Sequence, residues 1–238
     1  MTKQRVVVIG AGMAGASVAA ELAAHAHVTL LEMESQPGYH TTGRSAALYA
    51  ASYGSPAVRA ITRASRAFFD DPGAGFAETP LLQPRGAMFI ARGDQRAALK
   101  TLHTELADEP AVVPLDATAA LQLCPLLRSD YVAAALLDRS AMDIDVHALH
   151  QGYLKRLKAH AGAAVMRAEV TALRHEGGVW HVETAAGQWV ADVVVNAAGA
   201  WADVVGEMAG AAPIGLVPKR RTAMTVAVPQ GLDVHASP

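Results

Sequence analysis

An apolar run, Arg5-Val6-Val7-Val8-Ile9, leads into Gly10-Ala11-Gly12-Met13-Ala14-Gly15, and a second run, His27-Val28-Thr29-Leu30-Leu31, ends in the carboxylate of Glu32. Three glycines at G-x-G-x-x-G spacing between a buried strand and a helix form a loop that can receive a pyrophosphate. Gly10 allows the tight turn, Gly12 lets backbone amides come close to the phosphates, and Gly15 lets the helix pack on the strand. The phosphates then sit on a helix N-terminus, where unpaired N–H groups and the dipole favour negative charge. Glu32 follows Gly10 by 22 residues and can accept hydrogen bonds from ribose hydroxyls, which favours a free 2′-hydroxyl over a 2′-phosphate. With 20 glycines in the chain, the plainer reading is a strand, turn and helix without a ligand. The full succession of strand, fingerprint, helix over 13–24, second strand and acid within 32 residues points instead to a dinucleotide.

The rest of the composition bounds the class. A chain of 238 residues can bury a substantial core and suits one large or two modest domains. Its 52% hydrophobic and 18% charged content excludes a disordered chain. No apolar run reaches the roughly 18 to 20 residues of a transmembrane segment, and the first strand begins too early for a signal peptide. The expectation is a cytoplasmic protein, with attachment to a membrane surface left open. A net charge of −2 gives no electrostatic reason to expect nucleic acid. Cys124 is the lone cysteine, so no internal disulfide forms, and a buried or half-buried thiol is expected. His147 and His150 could share a metal, but no third ligand of matching spacing accompanies them; histidines on a helix surface are the plainer reading.

Turn chemistry marks 33–43 as a loop through Pro37-Gly38 and Thr41-Thr42-Gly43, after which 44–48 restarts a helix. Further helices are expected over 56–69, 94–106, 116–121 and, capped by Asp145, to about residue 159. Strands are expected over 88–91, 112–115, 131–137 and 163–166. Three more, over 170–173, 179–184 and 188–190, form a meander turned at Gly177-Gly178 and Ala186-Gly187. A last buried strand then runs from Asp192 through Val193-Val194-Val195 into the small residues Ala197-Ala198-Gly199-Ala200, the place where open α/β sheets bind ligands. A nicotinamide domain would continue promptly through further βα units. Here about 90 residues of different texture intervene, which suits a flavin-binding domain interrupted by an insertion that covers the substrate.

Several segments together carry a resemblance. They are the glycine loop at 10–15, Gln36-Pro37-Gly38-Tyr39-His40-Thr41-Thr42-Gly43-Arg44-Ser45-Ala46-Ala47, Val58-Arg59-Ala60 with Ala64-Ser65-Arg66-Ala67-Phe68-Phe69, Asp143-Ile144-Asp145, Leu149-His150-Gln151-Gly152-Tyr153-Leu154, Val195-Asn196-Ala197-Ala198-Gly199-Ala200-Trp201 and Pro218-Lys219-Arg220-Arg221. The chain resembles the FAD-dependent D-amino acid oxidase/dehydrogenase superfamily over essentially its whole length, and within it the bacterial D-arginine dehydrogenases. The resemblance implies an α/β fold: a discontinuous Rossmann-like FAD-binding domain with an inserted α+β substrate domain. The corresponding boundaries are 1–48 and 139–212 for the first, and 49–138 and 213–238 for an incomplete second.

It also implies a noncovalent FAD held by Gly10, Gly12, Met13, Ala14, Gly15 and Glu32, with backbone near Val170 meeting the adenine. Thr42, Gly43, Arg44, Ser45, Ala46 and Ala47 would contact pyrophosphate and flavin, and Ala198 and Gly199 would approach from the sheet end. Ser45 and the amides of a helix start can hold phosphate oxygens while Arg44 supplies positive charge; a solvated loop cation is the plainer reading of Arg44. In the family a D-amino acid gives a hydride from Cα to the flavin, and the imine hydrolyses to a 2-oxo acid and ammonia. The electrons pass on to a quinone or to oxygen. Arg221 matches the residue that clamps the substrate carboxylate, on a strand over 220–228, and Tyr53 matches an active-site tyrosine. A surface basic cluster and a partly buried core tyrosine are the respective plainer readings.

Two departures bear on the substrate. Leu48 stands where the D-arginine enzymes have a histidine, and Ala87 where they have the glutamate that meets the guanidinium, so a neutral or apolar D-amino acid is expected. The family also continues past the point where this sequence stops. The expectation is a fragment, a truncated product or one part of a split enzyme, and its alternative function is a non-catalytic FAD-binding piece that needs a second polypeptide.

Overall fold

The computed structural model describes residues 3–220, 222–231, 234, 237 and 238. Its chain begins with β1 (Arg5–Ile9), α1 (Met13–Ala23), β2 (His27–Leu31) and a 3₁₀ turn at Thr42–Arg44. The middle holds β3 (Leu48–Tyr49), α2 (Pro56–Asp70), β4 (Leu82–Pro84), β5 (Ala87–Ala91), α3 (Arg96–Glu105), β6 (Val112–Asp116), α4 (Ala117–Leu123), β7 (Ala134–Asp138) and β8 (Met142–Ile144). The last stretch has α5 (Val146–Ala159), β9 (Ala163–Val165), β10 (Val170–Glu176), β11 (Val179–Thr184), β12 (Gly187–Ala191), β13 (Val193–Asn196) and α6 (Ala202–Met208). Two compact units result: 1–45 with 74–79 and 146–223, and 46–73 with 80–145 and 224–238.

The first unit is built on a parallel sheet in the order β13-β1-β2-β9, with Val6 opposite both Val193 and Val28. Apolar residues run continuously through β1 because both of its faces are covered. Val6 and Val8 pack with Ala19, Ala20, Ala23 and Leu157 of α1 and α5. Val7 and Ile9 pack on the opposite side with Val170, Val182 and Val205, from the antiparallel β10-β11-β12 meander and α6. The buried face of α1 is made of Gly15, Ala16, Ala19, Ala20 and Ala23. Small residues allow it to lie close: a Cβ on Gly15 would stand 1.7 Å from the Gly10 carbonyl oxygen.

The second unit contains two antiparallel three-stranded sheets, β3-β8-β4 and β5-β7-β6. Ser55 caps α2 with Pro56 at its first turn, and Asp116 caps α4 through the Ala119 amide at 2.8 Å. At the end of β7, Asp138 is only 1% exposed and accepts from Ser52 Oγ, the Ser140 amide and Ser140 Oγ. That set of bonds explains how a carboxylate is tolerated there.

Two local expectations are corrected. Residues 44–48 do not restart a helix: the 3₁₀ turn ends at Arg44, Ser45 is extended, and Leu48–Tyr49 pairs with Asp143 and Met142. The Ile144 amide donates to the Ala47 carbonyl, so ladder pairing overrides the helix preference of Ser-Ala-Ala-Leu. Among the described residues of 220–228 no strand forms, and Met224 and Val226 are 82% and 79% exposed. The short strands β4 and β8 and the helix α6 carry too little periodic sequence to have been foreseen. No helix among the described residues is long and apolar enough to cross a membrane.

Gly152 tests how tightly the first unit is packed. A Cβ there would meet Phe76 Cε1 at 2.3 Å, and that ring is held edge-on by Tyr153 and covered by Arg156. Gly152→Ala gains about 1 kcal/mol of helix propensity but costs about 1 to 3 kcal/mol in overpacking. The expected net result is a lower denaturant midpoint with unchanged secondary structure. A higher midpoint would show that the Phe76 ring moves freely.

Candidate functional site

In the order β13-β1-β2-β9 the chain leaves β1 toward β2 on one side and returns as β13 on the other, which opens a crevice beyond the carboxyl ends of β1 and β13. A cleft of about 250 Å³ lies there. Gly10, Gly12, Met13, Ala14, Glu32, Thr42, Val170, Ala198 and Gly199 all line it. Gly10 has φ +99°, and a Cβ on it would stand 2.5 Å from the Ala197 carbonyl oxygen just past β13, so the turn from β1 into α1 requires glycine there.

Gly12 begins α1 in an extended conformation without a capping side chain. The Met13 amide donates to Thr42 Oγ1 at 2.9 Å. The Ala14 amide, on the cleft wall, is among the donors that a helix start cannot satisfy internally. Beside it stands Glu32, 7% exposed at the end of β2. Its Oε2 accepts from the Ala11 amide at 2.8 Å and its Oε1 from the Glu34 amide at 3.0 Å. A carboxylate offers about four acceptor positions, so two remain for donors in the cleft. Leu31, Val170, Val205 and Met208 supply apolar wall.

The loop after β2 folds back on itself, the Gly43 amide donating to the Gly38 carbonyl at 2.7 Å. Arg44 lies over the Tyr39 ring at 4.8 Å, Tyr39 meets His40 edge-on, and His40 both contacts Glu34 Oε1 at 2.9 Å and packs on Trp201. An adjoining groove is lined by Gly43, Arg44 and Ser45 together with His147, His150 and Gln151. Ser45 stands beyond the turn in extended backbone rather than at a helix start. Gly15 is buried in α1 beneath the loop. Ala46, Ala47 and Tyr53 belong to the second unit, where Tyr53 is 61% exposed. Arg221 lies outside the described residues.

His150 corrects the reading of surface histidines. His147 is exposed, but His150 is 4% exposed and its Nε2–H donates to the Ala11 carbonyl at 2.9 Å. The sequence signal for this was the stripe His150, Tyr153, Leu154, Leu157, which has the i, i+3, i+4, i+7 spacing of a buried helix face. Burial holds the imidazole below its ordinary value; the Ala11 hydrogen bond opposes this, His147 adds to it, and the Glu32 charge opposes it. Among the described residues no group of three or more His, Cys, Asp or Glu is placed to hold a metal ion.

Comparison with known proteins gives three findings. The family model described as FAD dependent oxidoreductase matches residues 5–237. Glycine oxidase from Geobacillus kaustophilus superposes with a TM-score of 0.75 at 22% identity, over 87% of this chain and 59% of that one. L-alpha-glycerophosphate oxidase from Mycoplasma pneumoniae, solved with FAD bound, gives 0.72 at 18% identity, over 87% and 57%. In sequence, mitochondrial dimethylglycine dehydrogenase of Rattus norvegicus is 36% identical over 90 residues, 37% of this chain and 10% of the relative. The structural likenesses establish the fold, and the chain spans less than three fifths of either solved chain.

The residues present suit FAD. The open acceptor positions of Glu32 match a ribose diol, the amides at the start of α1 match phosphate, and the apolar wall near Val170 matches a flat base. Glu32→Ala would remove the ribose acceptors and leave the Ala11 amide unpaired. The expected result is a roughly ten- to hundredfold higher Kd for FAD by fluorescence titration; an unchanged Kd would show that Glu32 does not hold the ribose.

His150 sets a pH dependence. Its folded value is depressed, so below the ordinary 6.5 the unfolded chain takes up a proton that the folded chain does not, and stability falls with pH until the depressed value is passed. Thermal unfolding between about pH 7.5 and about pH 5.5 should therefore show a steeper loss of Tm in the native protein than in His150→Gln. Equal slopes would place the proton uptake elsewhere.

Proposed function

Since the chain belongs to the FAD dependent oxidoreductase family, we propose that it oxidises the CH–NH2 group of a D-amino acid with a neutral or apolar side chain. The observation that carries the dinucleotide reading is the buried Glu32 carboxylate, facing the cleft with acceptor positions open beside the start of α1. The amine class is supported by the Gly38-to-Ala47 block and by the names of two relatives, which act on glycine and dimethylglycine.

FAD, bound noncovalently, supplies the two-electron acceptor for the hydrogen on the substrate Cα. Glu32 would hold the ribose, and the loop from Gly10 to Ala14 the phosphates. Arg221, with its planar fork, would clamp the substrate carboxylate, and Tyr53, an exposed residue, would orient it. Loss of hydride from Cα and of a proton from the amine nitrogen leaves an imine, which takes up water to give a 2-oxo acid and ammonia. A quinone or oxygen would receive the electrons.

The neutral side chain is supported by what surrounds Ala87 and Leu48. Ala87 heads β5 opposite Asp138, whose carboxylate is committed to Ser52 and Ser140. Leu48 lies opposite Asp143, which pairs with Arg85 at 3.1 Å. The Asp138 carboxylate already meets three donors and offers a substrate guanidinium little, and a buried charge without a partner is costly. A second reading, an FAD-binding piece that works only with a further polypeptide, is favoured by the exposure of Met224 and Val226 in a segment without a ladder.

Flavin-reconstituted protein assayed with a dye acceptor against D- and L-amino acids, glycine and dimethylglycine should turn over neutral D-amino acids with higher kcat/KM than D-arginine. Ala87→Glu should move that ratio toward D-arginine by roughly ten- to a hundredfold. Turnover only after a longer polypeptide is supplied would favour the second reading. Preference for an L-amino acid or for D-arginine would overturn the substrate assignment.

A further inference from the structure

Three stretches of the first unit, far apart in sequence, meet on the imidazole of His150, which none of the cofactor contacts above uses. Its Nε2 lies 2.9 Å from the Ala11 carbonyl oxygen in the glycine loop. A Cβ on Gly38, which has φ +72°, would fall 3.1 Å from His150 Cε1 and 3.4 Å from Thr42 Cγ2, so the ring forms the floor under the loop after β2. The histidine itself comes from α5, more than 100 residues later.

The bond to Ala11 has a directional consequence. A peptide is planar and trans, so the Ala11 carbonyl and the Gly12 N–H point in opposite directions. Drawing the carbonyl toward α5 turns the Gly12 N–H away from α5. Gly12 lines the cleft. Because glycine restricts its backbone so little, the Ala11–Gly12 peptide would rotate readily without a fixed partner. Glu32 holds the Ala11 amide, the near side of the same residue, and does not determine the orientation of the next peptide.

We propose that His150 is a positioning residue for FAD: its Nε2–H fixes the Ala11–Gly12 peptide so that the Gly12 amide is presented to the phosphates, and its ring supports the Gly38 loop that carries Thr42 to the start of α1. This rests on the reading of the cleft as the FAD site. A carbonyl accepts and cannot donate, so this contact requires the imidazole tautomer with hydrogen on Nε2.

Glutamine and methionine are close in size and differ in the donor, so they separate hydrogen bonding from packing. The experiment compares the native protein with His150→Gln and His150→Met, reading FAD Kd by fluorescence titration, fold by circular dichroism, and the tautomer by ¹⁵N spectra of histidine-labelled native protein. Expected are an Nε2–H tautomer, a folded His150→Met with about tenfold weaker FAD binding, and a His150→Gln within about threefold of native. Equal affinity in folded His150→Met and native protein would overturn the proposal while leaving the FAD reading intact, as would an Nδ1–H tautomer, which is read without any variant. Native protein that binds no FAD would overturn both.

Discussion

Ala11 is bound at both ends, its amide to a carboxylate at the tip of β2 and its carbonyl to an imidazole from α5. Much of the site follows from this double attachment. The buried Glu32 charge is tolerable because backbone donors meet it, and the turn between β1 and α1 is held without any side chain of its own. The third strut is Thr42, whose hydroxyl takes the Met13 amide and so ties the loop after β2 to the first turn of α1.

Glu32 and Thr42 come from the first stretch of this unit and His150 from its last. The first unit uses 1–45 for the glycine loop and the acid, and 146–223 for α5, the meander and β13, with the second unit's larger share lying between them in the chain. The faces of β1 divide accordingly: α1 and α5 cover Val6 and Val8, while the meander and α6 cover Val7 and Ile9. A contact such as His150 with Ala11 spans 139 residues, so it is made by the tertiary fold and not by local sequence.

What could be read from sequence followed from local physics. The β1, glycine-loop, α1 and β2 series, the helices α2 and α5, and the meander all carry periodicity, caps or glycine turns within a few residues. What could not be read depended on distant partners. Ser45 to Leu48 has helical composition, yet Leu48–Tyr49 becomes a strand because Met142 and Asp143 are there to pair with it. His150 lies on an apolar stripe that was visible, but its role depends on a carbonyl 139 positions earlier. Thr42 is legible as a residue near phosphate, but its acceptance of the Met13 amide depends on a helix 29 positions earlier.

The buried Glu32 carboxylate has a thermodynamic consequence. Because the Ala11 and Glu34 amides grip both of its oxygens, its side chain is held in one rotamer by the fold's own backbone. A ribose arriving there would meet an acceptor that needs no ordering, so the entropy of fixing that side chain is charged to folding and not to association. The same holds for Thr42 on the Met13 amide. A ligand entering this cleft would meet side chains already tied to backbone amides at the sheet end.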